Sequence, residues 1–242
     1  MSDIVFYNTR TRSKQTFEPI EPGRVGIYTC GPTVYGPMHI GNVRSQLFAD
    51  LLRRFLATEG FTVTHVINIT DVGHLVSDAD EGEDKMELAA QRAGETAAEI
   101  AGRYTELWRE DREAVNCVEP EHNPKATEHI AEQIELGIKL EEEGYLYRID
   151  DGIYFDIARF PRYTELARLD LEGQAGAQRI EQVEGKRHPA DFAIWKFADP
   201  EVRRLQEWDS PWGRGFPGWH LECSAMSSRY LGEHFDIHTG GI

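Results

Sequence analysis

The sequence predicts an α/β protein built on a parallel sheet, and three observations predict it. Val25-Gly26-Ile27-Tyr28-Thr29 is a short apolar run that ends in the turn Cys30-Gly31-Pro32-Thr33. Leu47, Phe48, Leu51, Leu52, Phe55 and Leu56 then recur at spacings of three and four, the period of an amphipathic helix. Residues 61–69, Phe-Thr-Val-Thr-His-Val-Ile-Asn-Ile, follow as a second strand rich in β-branched side chains. Strand, glycine-containing turn, helix and strand make a βαβ unit, which implies parallel strands. Ligands of such sheets sit beyond the C-terminal ends of the strands. Those ends are residues 30–33 and 68–71.

The remaining elements follow in order. Ile4-Val5-Phe6-Tyr7 and Thr16-Phe17 flank turn material, Asn8-Thr9-Arg10 and Ser13-Lys14, and predict a short antiparallel hairpin. The first long helix is expected over 40–58, with Gly60 ending it. Ser77-Asp78-Ala79-Asp80-Glu81-Gly82-Glu83-Asp84 reads as a solvated acidic loop, and its spacing is not that of an EF-hand. One long helix is expected over 85–114. Another is expected over 125–143, opening after Pro124 and closing before Gly144. Alternation around Asp150-Asp151-Gly152 predicts a hairpin over 145–156. Residues 157–218, loop-rich with Gly, Pro and scattered aromatics, read as an insertion and not as another βαβ repeat. Phe235-Asp236-Ile237-His238 reads as a strand returning to the sheet.

A chain of 242 residues is one large domain or two small ones. Hydrophobic residues at 40% and charged residues at 28% exclude a wholly disordered or fibrous chain. No apolar run approaches the roughly 20 residues that span a bilayer. The start, Met1-Ser2-Asp3-Ile4-Val5, lacks a basic stretch followed by an apolar one. A cytoplasmic protein without a membrane partner is therefore expected. The net charge of −16, from 26 Lys+Arg against 42 Asp+Glu, excludes a general coat for phosphate backbones but leaves room for a local basic surface. Three cysteines, Cys30, Cys117 and Cys223, are too few and too scattered for a disulfide framework.

Four groups of residues carry candidate chemistry. His39-Ile40-Gly41-Asn42 opens the first long helix, whose free N–H groups and positive potential suit a phosphate. An incidental histidine in a first helical turn is the other reading. Cys30, at a strand end, and Cys223, in Trp219-His220-Leu221-Glu222-Cys223, are candidate thiolate ligands or plain buried cysteines; Cys117 is assigned to burial. Thr70, in Asn68-Ile69-Thr70-Asp71, faces a ligand above the sheet or simply ends a strand. Trp219, His220, His234 and His238 form an aromatic and histidine group, of which His238 and Trp219 are the candidates for lining a crevice.

In combination these stretches resemble the cysteinyl-tRNA synthetases, a family of class I aminoacyl-tRNA synthetases. The match runs through Phe6-Tyr7-Asn8-Thr9, Tyr28-Thr29-Cys30-Gly31-Pro32-Thr33-Val34-Tyr35, His39-Ile40-Gly41-Asn42, Asn68-Ile69-Thr70-Asp71, Asp191-Phe192-Ala193-Ile194-Trp195-Lys196, Ser210-Pro211-Trp212-Gly213, residues 217–226 and Phe235-Asp236-Ile237-His238. It covers essentially the whole chain in the family's order. The resemblance implies a Rossmann-like catalytic domain interrupted by a connective insertion: 1–144, the insertion 145–216, and a return over 217–242. His39-Ile40-Gly41-Asn42 is similar to the first ATP signature, HIGH, with Asn42 where a second histidine often stands.

By that resemblance His39 and Asn42 are catalytic, and His39, Gly41 and Asn42 hold ATP, which enters with Mg2+. Cys30 and Cys223 are two ligands of one zinc per chain. Gly31, Thr33, Thr70, Trp219 and His238 surround the substrate. The implied reaction activates cysteine as an adenylate and transfers it to tRNA(Cys), in a monomer. The family's other zinc ligands, its KMSKS signature and its helical and anticodon-binding domains are not reached by residue 242. The chain is accordingly read as the N-terminal part of a longer synthetase, inactive alone, with a naturally short paralogue as the alternative. Two rival functions are a cysteine:glucosaminyl-inositol ligase of mycothiol synthesis and a non-catalytic synthetase-like module.

Overall fold

The structure, a computed structural model, describes residues 4–73, 85–166, 183–199 and 204–240. The acidic stretch 77–84 lies outside the described residues. The chain opens with the predicted hairpin, β1 (Val5–Asn8) antiparallel to β2 (Ser13–Thr16). The predicted βαβ unit follows as β3 (Arg24–Thr29), α1 (Ile40–Thr58) and β4 (Thr62–Ile67). Gly60 takes φ +95 after α1, a left-handed conformation that lets the chain reverse. β3 and β4 pair in parallel, with Tyr28 opposite Val66.

Over 85–114 the structure corrects the expectation of one helix. Two helices form, α2 (Lys85–Ala93) and α3 (Ala97–Ala114). Gly94 at φ +69 ends the first. Thr96 caps the second, accepting from the Glu99 N–H at 3.2 Å, while the Glu99 carboxylate accepts from the Thr96 N–H at 2.8 Å. That reciprocal pair is a capping box, and it fixes a new helix start. A single 3-10 turn (Ala126–His129) leads into α4 (Ile130–Glu142).

The predicted second hairpin appears as β5 (Leu146–Ile149) and β6 (Gly152–Phe155). The region expected to be mostly loop adds β7 (Phe192–Phe197) and β8 (Gly215–Pro217), which extend the hairpin into an antiparallel sheet ordered β5-β6-β7-β8. β7 escapes a period-two reading because both its faces are covered. Ile194 packs with Phe155 and Leu221, while Trp195 packs with Tyr28, Trp212 and Met226. Then come α5 (Trp219–Leu231), for which the sequence carried no expectation, and β9 (Ile237–Thr239).

β9 returns to the first sheet, parallel to β3, giving the order β4-β3-β9 with β3 central. Alternation along β3 sends Val25 and Ile27 towards Leu52 and Leu56 of α1 and towards the hairpin aromatics Phe6 and Phe17. Tyr28 points the other way, into a cluster with Val66, Ile130, Trp195 and Met226. Two helical layers therefore sandwich a parallel sheet. Asp236 anchors the return of the chain: its carboxylate accepts from the N–H groups of Ile20 at 2.7 Å and Gly26 at 2.8 Å.

The antiparallel sheet is also tied to the first. Gln206 accepts from the Gly73 N–H at 2.8 Å and donates to the Asp71 carbonyl at 2.9 Å, and Arg204 donates to the Gly73 carbonyl at 3.1 Å. Among the described residues no helix is long and apolar enough to cross a membrane. The capping box carries a direct test: Thr96→Ala should lower stability by about 1 kcal/mol, read as a fall in urea midpoint at unchanged slope.

Candidate active site

The site is built where β3 and β4 end. The Cys30 N–H donates to the Thr239 carbonyl at 3.0 Å, which carries the edge pairing of β3 with β9 one residue past the strand. The next residue, Gly31, donates its N–H to Asn68 Oδ1 at 2.9 Å. A Cβ on Gly31 would stand 1.6 Å from the Asn68 carbonyl oxygen, so only glycine fits this crossing. Asn68 is buried and spends its amide on both sides, donating from Nδ2 to Thr70 Oγ1 at 2.9 Å. Thr33 and Thr70 then face each other across the two chains, with the Thr70 N–H donating to the Pro32 carbonyl at 2.9 Å and the Val34 N–H to the Thr70 carbonyl at 3.2 Å.

Cys30 and Cys223, distant in sequence, meet here with their sulfurs 3.7 Å apart. His238 Nε2 lies 3.5 Å from the Cys30 sulfur, and Asn68 Oδ1 lies 3.8 Å from that of Cys223. The hydrogen bond from Cys223 draws the Cys30 thiol down to about 5 against its burial, with His238 adding to the effect. Sharing that proton and being buried pushes Cys223 upward. Two sulfurs held at about 2.3 Å by one tetrahedral zinc stand about 3.8 Å apart. The observed separation and the soft donors fit such an ion, as one half of its shell. Among the described residues no group of three or more His, Cys, Asp and Glu side chains closes around a metal. Cys117 lies apart, after α3, its thiol raised by burial.

His39 and Asn42 form the N-terminus of α1. His39 is the N-cap: its Nδ1 accepts from the Gly41 N–H at 3.0 Å, and its own N–H donates to Asn42 Oδ1 at 3.1 Å. This is a capping box written with histidine and asparagine. Because Nδ1 accepts a hydrogen bond, the ring carries its proton on Nε2, which leaves a neutral donor for a ligand. A cavity of about 180 Å³ adjoins them, lined by residues 32–39, Asn42, Tyr104 and Trp108. It is below the roughly 300 Å³ at which ligand pockets begin. It suits a group of phosphoryl size and not a whole nucleotide.

The structure therefore brings together Cys30, Gly31, Asn68, Thr70, Cys223 and His238, with Thr33 on the same loop leading to His39, Gly41 and Asn42. Thr70 is buried, and its hydroxyl is engaged by Asn68. Trp219 stands one helical turn before Cys223 on α5, 46% exposed, with its ring stacked on His220. His220 is held between Trp219 and Phe192, and His234 is exposed.

Sequence reasoning missed Asn68 as the organiser, although it had marked the Asn68-Ile69-Thr70-Asp71 stretch. It also missed His65. That imidazole is buried on β4, and its Nε2 meets Thr29 Oγ1 at 2.8 Å. Thr29 Oγ1 in turn meets Thr239 Oγ1 at 2.8 Å, so one polar thread crosses all three strands just below Cys30.

A βαβ unit with a phosphate-suited helix start at one strand end, completed by a strand returning beside it, defines an α/β domain of the kind that takes its ligand beyond the C-terminal ends of its strands. The profile of the tRNA synthetases class I (C) catalytic domain family matches residues 16–242, and the chain belongs to that family. It is 56% identical over 98% of its length to "Cysteine--tRNA ligase 1" of Burkholderia lata, covering 50% of that protein. It is 51% identical over 99% of its length to "Cysteine--tRNA ligase" of Zymomonas mobilis, covering 46% of it. A protein of the same name from Thermus thermophilus is 46% identical over 99% of the chain and 49% covered. The chain thus spans about half the length of the curated relatives it matches.

His65 makes the sheet below the site pH-sensitive. Burial, then Arg53 and Arg112, press its pKa from 6.5 down to about 4. The folded protein holds it neutral while the unfolded chain takes a proton below about pH 6.5. Its contribution is therefore full above that pH and is lost as pH falls towards about 4, on the order of 3 kcal/mol in all. Urea titrations at several pH values should show His65→Gln flattening the slope of stability between about pH 6.5 and 4. An unchanged slope would refute this.

Proposed function

We propose that this chain is the ATP- and cysteine-handling part of a cysteine–tRNA ligase that forms cysteinyl-adenylate and passes the cysteinyl group to tRNA(Cys). The observation that carries the reading is the pair of sulfurs 3.7 Å apart, Cys223 on α5 and Cys30 at the end of β3, on the loop that runs into the His39 cap of α1. Relatives named as cysteine–tRNA ligases support tRNA as the acceptor over the glucosaminyl-inositol acceptor of a mycothiol-type ligase, and support an enzyme over a non-catalytic module. The sheet formed by β5 to β8 supports reading 145–216 as an insertion between catalytic parts 1–144 and 217–242.

In the first step a cysteine carboxylate oxygen attacks the α-phosphorus of Mg2+-bound ATP, and the bond to the β-phosphate oxygen breaks to release pyrophosphate. The Nε2–H of His39 donates to a phosphoryl oxygen as negative charge gathers there. Asn42 holds His39 in place through its Oδ1 and keeps its Nδ2 for the phosphate. Gly41 leaves room for the His39 ring, whose Cε1 would stand 2.9 Å from a Cβ at that position. Gly31, Thr33 and Thr70 shape the loop beneath the substrate, with Trp219 and His238 at its sides. In the second step the terminal ribose hydroxyl of the tRNA attacks the carbonyl carbon and AMP leaves. Cys30 and Cys223 would hold the zinc, which supplies a thiophilic contact that takes cysteine as a thiolate and grips serine's hydroxyl weakly.

In a protein extended to the length of its relatives, His39→Ala should lower cysteine-dependent ATP–pyrophosphate exchange by about 10²-fold, the size seen for loss of one donor to a transition state. His39→Asn, which keeps an N-cap acceptor, should preserve folding yet lose a similar share of activity. Exchange at the parent rate in both variants would sink the role of His39. For the metal, Cys30→Ser and Cys223→Ser should each reduce zinc retained after dialysis, and Cys117→Ser should not. Equal zinc in all four proteins would return both cysteines to plain packing.

A further inference from the structure

The two sulfurs that meet at the end of β3 also have the placement of an oxidisable pair. Cys30 and Cys223 are half-buried and unbridged, with their sulfurs 3.7 Å apart. Both backbones are fixed. The Cys30 N–H is bonded to Thr239 at 3.0 Å, the Gly31 N–H that follows is bonded to Asn68 at 2.9 Å, and Cys223 lies within α5. The sulfurs are therefore held as neighbours and do not meet by chance. A disulfide holds its sulfurs about 2.05 Å apart, so the pair closes by moving together about 1.7 Å, within reach of side-chain rotation. Both cysteines pack against the apolar cluster of Tyr28, Val66, Trp195 and Met226. Half-burial there admits a molecule of peroxide size and keeps the sulfurs of a second chain away.

We propose that Cys30 and Cys223 form a paired modification site, at which a hydroperoxide produces an intramolecular disulfide that staples the end of β3 to α5. One sulfur attacks a peroxide oxygen and the O–O bond breaks. That sulfur becomes a sulfenic acid, and its proton leaves with the other oxygen as water or an alcohol. The second sulfur attacks the first, the S–S bond forms, and the hydroxyl departs with the second thiol proton as water. Two thiols lose two electrons and the peroxide gains them. The inference rests on the geometry of the sulfurs and not on the reaction proposed above. It also makes bridge and zinc exclusive, because the bridge consumes both thiolates that the metal would take.

The test treats this chain, stripped of metal by a chelator, with hydrogen peroxide. Remaining thiols are alkylated with N-ethylmaleimide, and peptides are read by mass spectrometry without reductant. Cys30 should be found joined to Cys223 within a monomer. The bridge should form at least about 10-fold faster than Cys117 is oxidised, since Cys117 is also half-buried but has no second cysteine beside it. Dithiothreitol should return both residues to alkylation, and Cys117→Ser should bridge at the parent rate. Sulfinic acid on either residue without a bridge, a bridge between two chains, or loss of both thiols no faster than that of Cys117 would each overturn the proposal. Preloading with zinc checks the metal separately. Slower bridging supports zinc on these sulfurs, whereas bridging at the same rate supports the modification site and counts against the metal.

Discussion

Asn68 holds the two strand ends in one arrangement. With its backbone pressed against Gly31 and its amide divided between the Gly31 N–H and the Thr70 hydroxyl, it sets how closely the loops after β3 and β4 approach. Cys30 precedes that crossing and Thr33 follows it, so both inherit their positions from it. Cys223 comes from α5, yet its sulfur also abuts Asn68 Oδ1. A buried amide with its donor and acceptor both satisfied is rigid, and an unsatisfied one is expensive, so the arrangement has little freedom to drift.

Beneath that crossing the support is polar as well as apolar. The thread of His65, Thr29 and Thr239 joins all three strands through hydroxyl and imidazole. Asp236 pins the turn into β9 from the opposite end. Apolar packing from Ile27 on one face and Tyr28 on the other supplies the bulk of the burial, but it does not dictate where a strand ends. The polar contacts do, and the meeting of the two sulfurs at 3.7 Å depends on strand ends more than on sheet area.

How much of this could be read from the sequence depended on the range of each interaction. β3, α1 and β4 were legible because their periodicity is local and Gly60 punctuates it. The break between α2 and α3 was equally local, since Gly94 and the Thr96-Ala97-Ala98-Glu99 box are both visible, but the alanine-rich surroundings read as one continuous helix. β7 was obscured because a strand covered on both faces loses its alternation. The pairing of Cys30 with Cys223 came from resemblance: no spacing rule links residues brought together from β3 and α5. The periodicity of Leu47, Phe48, Leu51, Leu52, Phe55 and Leu56 marked α1 as a helix without separating Leu56, which is buried, from Phe48, Leu51 and Phe55, which are exposed. His65 and Asn68 were unreadable for a related reason, as a polar residue's burial is decided by distant partners.

The grip of Gln206 on residues 71–73 ties the stretch after β4 to the segment that leads into β8. Gln206 engages both the Asp71 carbonyl and the Gly73 N–H, as a neighbouring strand would, and Arg204 adds a third tether. Residues 204–206 lie on the way into β8, so the stretch that follows Thr70 takes its position from the antiparallel sheet's own chain segment as well as from β4.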